Sequence, residues 1–163
     1  VVKNMHRNLG FTLTEVMMVI VILAVLALVA APNMRDFIAS QIVKTPASDL
    51  YASLVLARSE AIKRNAAIDI VPAATDWSQG WQVKVQSGGL LLREQQAYPR
   101  VSVAASTAGK ITYGSNGRLS TSSTVFRVMP PSETQARMRC VSVDVSGRPN
   151  VRVDADLDQS ACN

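Results

Sequence analysis

At 163 residues, with 48% hydrophobic and 18% charged residues, the chain has room for one ordinary domain plus one further element and is no disordered polymer. A net charge of +5 is a mild basic bias, which permits contact with phosphates or anionic lipid without demanding it. Aromatics at 5% argue against a stacking platform for single strands, and one histidine, His6, leaves a zinc site short of ligands.

The chain opens on a short basic stretch, VVKNMHRNLG, carrying Lys3, His6 and Arg7. Residues 11–31, FTLTEVMMVIVILAVLALVAA, then hold one charge, Glu15. As a helix this run is about 31 Å long, which matches the hydrocarbon core of a bilayer. Lys3 and Arg7 favour keeping the N-terminal side in the cytoplasm, so the remainder faces outward. A secretory signal has a shorter apolar region ahead of its cleavage site. Ala30-Ala31-Pro32 resembles such a site, but the run is too long and Thr12, Thr14 and Glu15 stand at its start. A carboxylate within a membrane segment costs about 2.5–3.5 kcal/mol on insertion scales. Glu15 therefore either reaches water at the interface or meets a positive group from another subunit.

Residues 33–65 keep a helical period. Leu50, Leu54, Ala57 and Ala61 recur on one side, with Ser53, Arg58, Glu60, Lys63 and Arg64 over much of the other. Pro46, within Thr45-Pro46-Ala47-Ser48-Asp49, predicts a kink or a break with a fresh N-terminus. After Asn65 the period changes to two. Strands are predicted at 67–71 (ended by Pro72), 81–85, 90–95, 101–104, 110–113 and 124–129. A final hairpin places Val141, Val143 and Val145 on one face and turns at 146–150, so that Val151 and Val153 return. Cys140 and Cys162 are not in a C-x-x-C pair; a disulfide closing the last hairpin and tail is the simpler reading, two unpaired thiols the alternative. A bridge would place the domain in an oxidising compartment.

The string Gly10-Phe11-Thr12-Leu13-Thr14-Glu15, followed by a long apolar helix and Pro32, resembles the class III leader of type IV pilins and type II secretion pseudopilins. That resemblance implies cleavage by a prepilin peptidase between Gly10 and Phe11, N-methylation of Phe11, and pairing of Glu15 with a neighbouring subunit's terminal amine during assembly. The helix-end stretch from Leu56 to Asn65 (LARSEAIKRN) is similar to that of the GspH/FimT (FimU-like) family of minor pilins and pseudopilins. Trp77-Ser78-Gln79-Gly80-Trp81 resembles the same family's W-x-x-G-W motif. The turns at Tyr113-Gly114-Ser115-Asn116-Gly117-Arg118 and Gly147-Arg148 also fit.

The fold expected is α+β: a long N-terminal helix, half transmembrane and half amphipathic, packed on an antiparallel β-sandwich-like domain. The expected divisions are a leader at 1–10, a membrane or filament-core helix at 11–32, an amphipathic helix at 33–65 and a periplasmic β domain at 66–163. No catalytic set is found: the serines lack a G-x-S-x-G context, and neither cysteine has a base beside it in sequence. Asp154, Asp156 and Asp158 lack the glycine and glutamate of an EF-hand loop and read as a solvated acidic tail. The expected protein is therefore not an enzyme and needs no metal or cofactor. The resemblance implies a minor pilin of a type IV pilus that primes assembly or forms the fibre tip. It would be a single-pass inner-membrane protein with its C-terminal domain in the periplasm, and its partners would be other minor and major pilins or pseudopilins. The alternatives are an H-type minor pseudopilin of type II secretion and a DNA-binding minor pilin for transformation. The last rests on Arg148 and Arg152, which resemble a G-R-x-R turn with one residue added; in extended chain that residue moves Arg152 to the opposite side.

Overall fold

Helical period up to Arg64 and strand period beyond it translate directly into the architecture. One α-helix, α1 (Leu13–Arg64), precedes eight strands among the described residues: β1 (Ile68–Pro72), β2 (Trp81–Val85), β3 (Leu91–Gln95), β4 (Ser102–Ala105), β5 (Ile111–Tyr113), β6 (Thr124–Met129), β7 (Arg139–Val143) and β8 (Pro149–Val153). The computed structural model describes residues 10–131, 136–154 and 162, with the backbone only at 29–33 and 35–36. Two compact units divide the chain, Val1–Arg35 and Asp36–Asn163, and α1 contributes to both.

In the first unit the described side chains from Leu13 to Leu28 are all exposed, and from Val16 onward they are all apolar. Among the described residues no helix is long and apolar enough to cross a membrane. The described side chains of the apolar run end at Leu28, so the anchor expected over 11–32 extends outside them.

In the second unit α1 buries Ala39, Val43, Ala47, Leu50, Leu54, Ala57 and Ala61, one stripe spaced by threes and fours. The break expected at Pro46 does not occur: α1 runs through it, and Pro46 is itself buried. Proline within a helix costs about 3 kcal/mol through its missing N–H and its ring. Burial of Val43 and Ala47 on either side, together with fully buried Leu50, outweighs that cost at roughly 2 kcal/mol for each large aliphatic side chain.

The strands form two four-stranded antiparallel sheets, ordered β3-β2-β1-β5 and β4-β6-β7-β8. Their apolar faces share one core with the α1 stripe: Ile68, Ile70, Val83 and Ile111 from the first sheet, Val103, Phe126, Val128 and Val141 from the second. Asp76 caps a short 3-10 turn at Trp77–Gln79. That turn sends Trp77 against Phe126 of the second sheet, edge to face with ring centroids 4.8 Å apart. Trp81 is fully buried and donates its indole N–H to Ser53 Oγ on α1 at 2.9 Å. The W-x-x-G-W motif thus joins helix, first sheet and second sheet.

Strand positions follow the sequence expectation within one or two residues, except at the last hairpin. Pro149 and Asn150 already belong to β8, so the turn lies earlier, at 144–148. Val145 sits in that turn and is exposed rather than sharing the buried face of Val141 and Val143. Pro72 does not end β1 from outside; it is its last residue, paired with Trp81. Proline tolerates such a terminal ladder position because its missing donor falls at the strand end.

Cys140 of β7 is bonded to Cys162, 22 residues away. The link ties the tail to the sheet and restricts the unfolded chain. Replacing both cysteines with serine is expected to lower stability by about 3 kcal/mol. Urea unfolding of the double variant, with and without reductant, checks this; an unchanged midpoint would contradict it.

Candidate functional site

Gly10 and Phe11 precede α1 and are exposed. Residues 1–9 of the expected leader lie outside the described residues. Phe11 and Glu15 come together on one side of the helix start, where with Val16, Val19 and Ile20 they line a shallow apolar groove of about 330 Å3. Sequence reasoning missed the device that starts the helix here. Thr12 Oγ1 accepts the Glu15 backbone N–H at 3.2 Å and lies 3.1 Å from Thr14 Oγ1. This is half of a Thr-x-x-Glu capping box, and the spacing of Thr12 and Glu15 was the signal that could have revealed it. Glu15 accordingly occupies the first turn, where the positive end of the helix dipole favours an anion.

The remaining motifs meet at one junction in the second unit. Arg58 of α1 donates from Nη1 to the Gly147 carbonyl at 3.3 Å, and the Tyr113 hydroxyl donates to the same oxygen at 3.4 Å. A side chain at Gly147, whose φ is +77°, would place Cβ 2.2 Å from the Gly117 carbonyl oxygen. The helix-end stretch and both glycine turns are therefore one packed unit. Burial pushes the Tyr113 hydroxyl well above its ordinary value, so it remains a donor through the physiological range.

A second tie holds the other side of the helix. Tyr98 donates to Asp49 Oδ2 at 2.6 Å, and Arg93 Nη2 lies 3.6 Å from Asp49 Oδ1. On the opposite face of the first sheet, buried Asp69 accepts from Lys110 Nζ at 2.8 Å, Thr112 Oγ1 at 2.7 Å and Gln86 Nε2 at 3.4 Å. Asp69→Ala leaves those donors without their acceptor. It is expected to destabilise by roughly 2–3 kcal/mol, read from the thermal midpoint; a wild-type midpoint would contradict it.

Arg148 and Arg152 are both exposed but do not converge. Arg148 lies in the turn beside Gly147, whereas Arg152 pairs across the ladder with Cys140, about 13 Å further along the strand. Their arrangement lends no support to DNA uptake. Asp154 corrects the tail expectation: it is buried, with Oδ2 lacking a hydrogen-bond partner, while Asp156 and Asp158 lie outside the described residues. Among the described residues no group of His, Cys, Asp and Glu is placed to hold a metal.

Asp144 organises the last turn. The Ser146 hydroxyl, followed by the Arg148 and Ser146 backbone N–H groups, holds its carboxyl below the ordinary aspartate value. Because the folded value is the lower one, this contribution is present above the unfolded pKa and disappears as pH falls through the folded one. Carboxyl-carbon NMR should show Asp144 titrating below ordinary aspartate; a midpoint at or above it would contradict the arrangement.

A family model described as Type II transport protein GspH matches residues 47–147, more than half of the chain. The chain belongs to the GspH family. A second model, the prokaryotic N-terminal methylation motif, matches residues 5–31 and so includes Gly10, Phe11 and Glu15. Among solved structures, the Pseudomonas aeruginosa type IV minor pilin FimU is similar with a TM-score of 0.61 at 22% identity, covering 71% of this chain and 94% of FimU. The minor pseudopilin EpsH from the Vibrio cholerae type 2 secretion system is similar with a TM-score of 0.55 at 12% identity, covering 70% of this chain and 98% of EpsH. These likenesses show a common fold. No curated protein sequence matches. As a GspH-family member the chain is a minor pilin or pseudopilin, a structural protein and not an enzyme.

Proposed function

We propose that the chain is a minor pilin of a type IV pilus, anchored by its apolar helix in the inner membrane, with residues 66–163 in the periplasm, and assembled at the start or tip of the fibre. The observation that carries this reading is the grouping of Phe11 and Glu15 at the start of a helical segment whose side chains over residues 16–28 are apolar and exposed. Prepilin peptidase cleaves after Gly10 and leaves an amine on Phe11, which is then N-methylated. That cation lies at the positive end of the α1 dipole and needs a carboxylate. Glu15 of one subunit supplies it to a neighbour and fixes the axial stagger between helices, since either charge alone in a low-dielectric bundle is costly. The exposed aliphatic surface over residues 13–28 packs against neighbouring helices. The β domain selects which pilins sit alongside.

The likeness to EpsH favours a second reading, an H-type minor pseudopilin of type II secretion. Affinity purification of the full chain from detergent-solubilised membranes separates the two. Co-purification with pilus subunits supports the first reading, and co-purification with secretion pseudopilins replaces it with the second.

A further inference from the structure

Asn116-Gly117 is the dipeptide most prone to spontaneous deamidation, because a glycine amide meets little steric hindrance in attacking the preceding side chain. We infer that the glycine-turn junction keeps this site closed in the folded protein, and that unfolding opens it to an irreversible covalent change. In that reaction the Gly117 backbone nitrogen attacks Asn116 Cγ. The new N–Cγ bond forms as Cγ–Nδ2 breaks and ammonia leaves, and water then opens the succinimide to aspartate or isoaspartate.

Three observations restrain the reacting atoms. The Gly117 N–H is engaged, donating to the Gly114 carbonyl at 2.8 Å. Asn116 Oδ1 accepts the Arg118 backbone N–H at 3.0 Å, which restricts rotation of the side-chain amide. Gly117 is also buried against α1 and the last turn. A Cβ there would lie 2.6 Å from Ile62 Cδ1, and the Gly117 carbonyl closely approaches Gly147. Closing the five-membered ring releases the Gly117 N–H and the Asn116 side chain from these bonds, and the packing of Gly117 resists that movement until the turn opens locally. The reaction rate in the native protein is then scaled down by the fraction of time the turn is open.

The isoaspartate product does not keep the same junction. Its main chain runs through Cβ of residue 116, adding a methylene ahead of the Gly117 nitrogen and so displacing Gly117, which is buried and packed against Ile62 and the last turn. A subunit that has stayed unfolded is thereby marked and cannot rebuild the contact of α1 with the last turn.

The experiment incubates the full chain in detergent at mildly alkaline pH, folded or in urea, and follows the tryptic peptide spanning Ile111 to Arg118 by mass spectrometry. The inference expects deamidation of the folded chain to be at least about tenfold slower than in urea, and expects Asn116→Gln to remove the urea signal. It also expects chains modified in urea to recover less native near-ultraviolet circular dichroism after dilution than unmodified chains. Equal rates in the two states would overturn it, as would a urea sample that stays unmodified or modified chains that refold fully.

Discussion

Glu15→Ala is expected to stay in the membrane at wild-type levels while losing its place among assembled subunits. Removing the carboxylate makes the apolar run more apolar, so insertion loses nothing. In the proposed assembly, the neighbour's Phe11 amine loses its partner. Leaving one member of a desolvated ion pair uncompensated costs about 3–5 kcal/mol, which corresponds to roughly a hundredfold or more in association. Thr12 supports this arrangement differently, by capping α1 so that Glu15 falls in its first turn. Thr12→Ala is therefore expected to weaken assembly less than Glu15→Ala, because a lost cap costs only about 1 kcal/mol. Quantifying the chain in sheared fibres against membranes, together with cross-linking to neighbouring pilins, provides the check. Wild-type incorporation of Glu15→Ala would remove the pairing mechanism.

The second large effect lies in the β domain. Gly80→Ala is expected to destabilise by about 3 kcal/mol or more, against about 1 kcal/mol for Gly88→Ala. Both glycines adopt positive φ, +93° and +84°, so both alanines carry the conformational cost. They differ in surroundings. A Cβ at Gly80 would lie 2.1 Å from the Gln95 backbone carbonyl oxygen, whereas nothing lies within 4 Å at Gly88. Relieving the clash at Gly80 means moving β2 away from β3, where Trp81 pairs with Gln95, and Trp81 is also the residue tied to Ser53. Chemical denaturation of the two variants measures the difference directly. Equal losses would mean that the close strand approach does not set the requirement for glycine.

Alternation at Trp81, Val83 and Val85 marked β2 because one face is buried and the other is not. The 124–129 strand was legible for the same reason. Leu50, Leu54, Ala57 and Ala61 announced their stripe by spacing, but Val43 and Ala47 were obscured by Pro46, whose local propensity is overridden by tertiary burial. The last turn was misplaced because Pro149 reads as a turn residue, although edge strand β8 accepts it at its first position.

The N-terminal methylation motif was legible as a string, since Gly10, Phe11 and Glu15 lie within six residues and need no folding to be recognised. The junction was not. Its parts come from three separated segments, Arg58 of α1, the turn holding Tyr113 and Gly117, and the turn holding Gly147, and only the fold brings them together. Asp69 likewise looked like an ordinary polar strand residue, because its cage of Lys110, Thr112 and Gln86 comes from β1's neighbours and the turns beside them.

Pairing of a Phe11 amine with Glu15 of a neighbour requires Phe11 to be the first residue of the mature chain. Intact-mass and N-terminal peptide analysis of the protein purified from its native membrane should find Phe11 at the terminus, carrying one methyl group on its amine. A terminus after Ala31, or anywhere else that removes the apolar helix or leaves Gly10 in place, would contradict it.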